Sequence, residues 1–137
     1  MANDPLSEPV RTTITVPWTA SLSKNAQWRH RGTRVYTTDA AETAREAVGW
    51  QLRAALQGRR FQPRAKIWLE FFVRRNTLKG DPINVVDAMA DAVKGAVGID
   101  DNVFAIARLD WELVPDADPS VTLAIWQEAQ PIPTPRR

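Results

Sequence analysis

The sequence contains no cysteine. Disulfide frameworks and thiolate metal sites are therefore excluded, and a reducing cytoplasm is the simplest compartment. There is a single histidine, His30, so a histidine-based nuclease or a Ser–His pair has little to build on. Glycines are few, and none falls in a Gly-x-x-x-x-Gly-Lys run. A P-loop of backbone amides around a phosphate is thus absent. No apolar run approaches the roughly 20 residues that cross a bilayer. The start, Met1-Ala2-Asn3-Asp4-Pro5, lacks the basic and apolar halves of a secretory signal. No membrane partner is expected, and no internal repeat is visible.

What is present suits one domain with its own core: 137 residues, 44% hydrophobic and 25% charged,. The net charge is only +2, with a pI near 9.4. The distribution says more. Arg29, His30, Arg31 and Arg34 form one basic group, Arg59, Arg60 and Arg64 a second, and Arg74, Arg75 and Lys79 a third. The last group leads directly into acid. Cations beside clustered carboxylates draw phosphates toward a site that would otherwise repel them. Any one of these residues, taken alone, reads more simply as solvated surface charge.

The acidic stretch organises the chain. Five aspartates, Asp81, Asp87, Asp91, Asp100 and Asp101, fall within it. Asp81-Pro82 reads as a helix start, because aspartate caps well and proline at the first helical position loses no useful N–H. Val85, Val86, Met89, Ala92 and Val93 then recur at helical spacing. Gly95 and Gly98 close the helix, and Asp100-Asp101 follows in a turn. Clustered acidic oxygens of this kind suit a hard divalent ion such as magnesium, if flanking strands fold the segment back on itself.

Around this stretch the pattern reads β-α-β-α-β-β, an α+β domain with one mixed sheet and two packed helices. Residues 1–10 read as disordered, residues 11–128 as the domain, and residues 129–137 as a proline-rich basic tail. Thr12 to Val16 alternates and is β-branched, so it is a strand. Ser21 to Thr37 is polar and reads as a loop with room for one helical turn. Asp39-Ala40-Ala41-Glu42 has capping-box spacing. Ala44, Ala47, Val48, Leu52, Ala55 and Leu56 follow as one helix face, ended by Gly58. Trp50 lies off that face. Lys66 to Val73 is apolar on both faces and reads as a central strand. Asn102 to Leu113 and Ser120 to Trp126 alternate about a turn at residues 114–119, and read as a β-hairpin.

The stretch from Lys79 to Asp101 resembles the RusA-type Holliday-junction resolvases, small nucleases of phage and prophage origin. That family carries Asp-x-Asp-Asn, then a helix ending Asp-Ala-Leu and a glycine, then Asp-Asp. Here stand Asp81-Pro82-Ile83-Asn84, Asp91-Ala92-Val93 and Gly98-Ile99-Asp100-Asp101. Two positions depart from the pattern. Ile83 replaces the second aspartate, and Asp87 replaces the usual lysine. A branch of the family carries Asp-Pro-x-Asn. The resemblance covers roughly residues 12 to 127.

The resemblance implies a cytoplasmic, homodimeric, magnesium-dependent endonuclease, with manganese as an alternative ion. It acts on branched DNA, above all four-way junctions, in recombination or repair. It implies Asp81 and Asp101 as metal ligands, with Asp100 a ligand or a support. Asn84 would orient Asp81 or a water. Asp91 could support the ligands or cap the helix. Glu70 could replace the ligand lost at Ile83, or simply sit at a sheet margin. Lys79, Arg74, Arg75, Arg29, Arg31 and Lys24 would contact DNA. Asn25 matches a family asparagine near the site, or bonds its own backbone in a turn. Asp87 reads as part of a solvated helix face. With Ile83 and Asp87 in place, a protein that binds branched DNA with weakened or lost catalysis is the alternative.

Overall fold

The computed structural model describes residues 10–19, 22, 28–31, 34–37 and 39–134. A mixed four-stranded sheet carries two helices, the α+β arrangement expected. The strands of this sheet are β1 (Thr12–Pro17), β4 (Ala65–Arg75), β5 (Phe104–Leu113) and β6 (Ser120–Pro131). The helices are α1 (Asp39–Leu56) and α2 (Val86–Val97).

The polar stretch read as a loop instead holds a small antiparallel hairpin, β2 (Trp28–Arg31) with β3 (Arg34–Thr37). Four-residue strands rich in arginine give alternation too little apolar content to register. Residues 1–9 and 135–137, read as disordered or extended, lie outside the described residues.

Strand order is β1-β6-β4-β5, so β4 is interior, as its two apolar faces imply. Ile67, Leu69, Phe71 and Val73 point to one face and are fully buried. They meet Val48, Leu52 and Leu56 of α1 and Ala88, Met89, Ala92 and Val93 of α2 in one core. Each such large side chain contributes roughly 1.5–3 kcal/mol. Of the face predicted for α1, Ala47 is exposed, while Ala41, three residues before Ala44, is buried. Trp50, off the stripe, is 68% exposed.

The hairpin expected between β5 and β6 does not form. β5 pairs parallel with β4, β6 pairs antiparallel with β4, and β4 lies between them. Alternation shows that two strands exist but not which edge each one finds. The segment from β4 through α2 is long enough for a β-α-β crossover, which delivers β5 parallel to β4. The turn after β5 then passes over the end of β4, where the Val114 N–H donates to the Arg75 carbonyl at 2.8 Å.

β5 also breaks its own alternation. Leu69 lies opposite Ile106, but Glu70 lies opposite Arg108, so Ala107 is a bulge,. Phe104 and Ile106 therefore share a face with Leu109 and Trp111. Continuous alternation would place them opposite. β6 continues past Trp126 to Pro131, which sits beside Ala65.

Candidate active site

Asp81 follows the C-terminal end of β4. It precedes a 3-10 turn over Pro82–Val85 that feeds α2. The carboxylate makes no capping bond. Instead the Asn84 N–H donates to the Asp81 main-chain carbonyl at 3.0 Å. The Asp81 side chain is therefore unspent among the described residues, and it is exposed. Together with Lys79, Trp18, Thr77 and Pro119 it lines a cleft of about 330 Å³.

The loop carrying Lys79 and Asp81 is held from below by Arg75. This residue is only 5% exposed. Its Nε donates to the Thr77 carbonyl at 2.9 Å and its Nη2 to the Gly80 carbonyl at 2.7 Å. The guanidinium lies over the Trp111 ring at 4.7 Å and faces Trp18 at 5.8 Å. It sits on the helix-side face of β4, in line with Val73. An arginine read from sequence as a phosphate contact is thus spent on two backbone carbonyls and two indoles. Arg74 points to the other face and pairs with Glu112 at 3.2 Å. Lys79 is exposed, and its side chain is unpaired among the described residues.

At the other end of α2, Gly98 takes the left-handed conformation (φ 71°) and its N–H closes on the Lys94 carbonyl. This is the stop that a C-terminal glycine provides. Gly95, by contrast, lies within the helix. Asp100 then caps a short 3-10 turn by accepting the Asp101 N–H at 3.0 Å. It also pairs with Lys94 at 3.2 Å. The Lys94 ammonium holds the Asp100 carboxyl below the usual carboxylate range, and Asp100 raises Lys94 in return. Asp101 is exposed, and its carboxyl is engaged with the neighbouring Asp100 carboxyl and lies in the field of Lys94.

These two ends do not meet within one chain. Phe104, just after Asp101, lies opposite Ile67 at the start of β4, whereas Asp81 follows Arg75 at its end. The strand from Ile67 to Arg75 spans roughly 26 Å. Accordingly, among the described residues no group of three or more acidic or histidine side chains is placed to hold a metal ion.

The remaining candidates are dispersed. Asn84 is half-buried in the 3-10 turn. Asp91 faces α1 and pairs with Arg45 at 3.1 Å. Asp87 is exposed on the first turn of α2, and Ile83 is 63% exposed. Glu70 lies on the sheet face away from the helices, 3.7 Å from Arg11. Arg29 and Arg31 lie on β2, described by its backbone. Lys24 and Asn25 lie outside the described residues. Sequence reasoning missed the loop-holding role of Arg75 and the Lys94–Asp100 pair. The only advance signal was the proximity of Lys94 to the acidic turn.

Residues 17–126 match the family of endodeoxyribonuclease RusA. The chain belongs to the RusA family. That match spans both helices, all of β4 and β5 and the first part of β6, and takes in only the last residue of β1. RusA enzymes are Holliday-junction endodeoxyribonucleases that bind branched DNA. No curated protein matches the chain. Among the described residues no helix is long and apolar enough to cross a membrane.

Proposed function

We infer that this RusA chain resolves four-way and other branched DNA by symmetric nicking. In this reading it works in the cytoplasm as a homodimer, with magnesium, or manganese, as its ion. One observation carries the reading. Asp81 and Asp101 are both exposed, the Asp81 carboxylate is unspent among the described residues, and the two flank α2 at the family's spacing. One chain alone does not fit a metal, because its carboxylates stand at opposite ends of β4 and α2. Two chains would.

The seam between the two would be β5. It is an open edge strand, reaching from the Asp101 end of the sheet to the Asp81 end. It leaves Ile106, Trp111 and Leu113 between 43% and 46% exposed. Unpaired edges carrying apolar side chains favour a second strand. A second copy laid antiparallel along β5 would bring Asp101 of one chain toward Asp81 of the other, twice, about one two-fold axis. Asp81, Asp101 and Asp100 would then hold the ion. When bound, it supplies Lewis acidity at the scissile phosphate.

The protein's own contribution is position and charge. Arg75 fixes the Asp81 loop. Lys79 at the cleft and Arg74 at the strand end offer cations to the DNA backbone, and the family resemblance adds Arg29, Arg31, Lys24 and Asn25 as further contacts. Asn84 orients Asp81. Asp91 and Glu70, paired with Arg45 and Arg11, take no part in the site. The deciding experiment is a labelled four-way junction incubated with the protein and magnesium, manganese or chelator. Paired nicks across the junction, with either metal and not with chelator, are the expected result. The exposed isoleucine at position 83 favours a second reading, a junction-binding protein without cleavage. Tight junction binding with no nicking under any divalent ion would select it.

A further inference from the structure

A second, larger cavity lies away from Asp81, where the C-terminal ends of the two helices lie side by side. It has a volume of about 600 Å³, within the roughly 300–1,000 Å³ range of ligand sites. Its walls combine three guanidiniums, Arg53, Arg59 and Arg60, with apolar surface from Phe61, Val97 and Ile99. Among the described residues no carboxylate lines it. Ile99 leads directly into Asp100 and Asp101, so the cavity opens beside the acidic turn.

The three arginines are not equivalent. Arg53 is spent on the Gly95 carbonyl at 2.8 Å. Arg59 is spent on the Thr12 hydroxyl at 2.8 Å, a bond that ties the cavity wall to β1. Arg60 is exposed and makes no hydrogen bond or ion pair among the described residues. It is the cation left for an outside anion. The turn that presents it is built by two left-handed residues after α1, Gln57 (φ 52°) and Gly58 (φ 78°). Phe61 is half-buried and rests on the core, so its ring is a fixed surface. A cation beside a rigid aromatic wall suits a nucleotide: phosphate to the guanidinium, base to the ring.

We propose that this cavity takes one unpaired nucleotide of the DNA strand that runs past the Asp100–Asp101 turn, with its phosphate on Arg60 and its base against Phe61. The proposal rests on the nuclease reading for its substrate class but not for its test. Duplex DNA offers phosphates but no free base face, so the cavity selects strands with unstacked bases, such as those at a branch point.

The test is made in chelator, where nothing is cut. An eight-residue thymidine oligonucleotide, a duplex of equal length and free thymidine monophosphate are titrated into the protein and followed by anisotropy or calorimetry. The single strand is expected to bind tightest. Arg60→Gln should weaken it about tenfold and reduce its salt slope by about 0.7, the loss of one single-strand phosphate contact. Phe61→Leu should weaken it about ten- to a hundredfold with the slope unchanged. Thermal melts of both variants exclude unfolding. A 5-iodouracil oligonucleotide should crosslink at Phe61 in the wild type, a readout that needs no variant. Unchanged single-strand binding in both variants, or crosslinking elsewhere only, overturns the proposal. So does monophosphate binding as tight as the strand. If the nuclease reading alone fails, junctions go uncut while these strand measurements hold.

Discussion

Arg75 Nη2 donates to the Gly80 carbonyl at 2.7 Å, joining the last residue of the central strand to the residue before Asp81. Gly80 itself is left-handed (φ 79°) and has open space around it. The loop carrying Asp81 is thus set by a side chain beneath it rather than by packing above it.

Replacement of Arg75 by methionine should therefore release that loop. Two backbone carbonyls on exposed residues lose their charged donor, and the protein should be destabilised by about 1–3 kcal/mol in all,. Nicking should fall by about a hundredfold, the scale of an ångström-sized misplacement. Junction affinity should keep its salt slope. Chemical denaturation and binding at several salt concentrations check this. A slope reduced by about 0.9 would mean that Arg75 touches phosphate directly.

Asp81→Asn and Asp101→Asn should each reduce magnesium-dependent nicking by at least about a hundredfold. Junction binding should be equal or slightly tighter. If each site draws one carboxylate from each chain, mixing the two inactive variants should restore about a quarter of the sites, because half the dimers are mixed and each mixed dimer has one intact site. A site within one chain would give no recovery. Light scattering should give a dimer mass at micromolar concentration, and Trp111→Asp on the β5 edge should lower it.

Ile83→Asp restores the family's second aspartate at a position 63% exposed. No carboxylate is buried by the change, so stability should move by no more than about 0.5 kcal/mol. Nicking, or affinity for magnesium, should rise. A thermal melt and a magnesium titration measure the two effects separately. Asp87→Asn should change neither.

Junction affinity should fall steeply between low and moderate salt and survive chelation, since arginines and lysines rather than the ion supply most of the binding through counterion release. Filter binding or anisotropy across a salt series, with and without chelator, measures it. A flat profile would contradict it.

Asp110 accepts the Trp111 N–H at 2.8 Å and pairs with Arg108 at 2.7 Å. These bonds hold its carboxyl below the usual carboxylate range, the backbone N–H first and Arg108 second. A depressed folded pKa stabilises the protein above the unfolded carboxylate pKa, and the contribution is lost as pH falls through the folded value. Carboxyl chemical shifts followed by NMR should therefore titrate below an ordinary aspartate. Arg108→Gln should move the midpoint upward part of the way.

The parts of the fold that local periodicity controls were legible. Ile67, Leu69, Phe71 and Val73 announced the buried face of β4, and Met89, Ala92 and Val93 that of α2. Pairing was not legible. Strands β5 and β6 adjoin in sequence and look like a hairpin, yet β4 separates them, because crossover geometry rather than turn length decides the neighbour. The bulge at Ala107 was invisible for the same reason, since alternation carries no record of an inserted residue. Arg75 misled because its type suggests solvent, while two carbonyls and two indoles satisfy it in the interior. The spacing of Asp81 and Asp101 matched the family, but sequence distance says nothing about which end of a parallel crossover each residue occupies.

The position of β6 sets an order of events during folding. It follows every other strand in sequence but is inserted between β1 and β4. Until it arrives, β1 has no strand to pair with and β4 presents an open edge to solvent. The chain emerging from a ribosome can thus form α1, α2 and the β4–β5 unit, but it cannot close the sheet that buries Ile14, Val121 and Leu123. Loop-closure entropy must be met before those long-range contacts reward it. A truncation that removes residues 120–131 should for this reason leave an aggregation-prone intermediate instead of a smaller native domain.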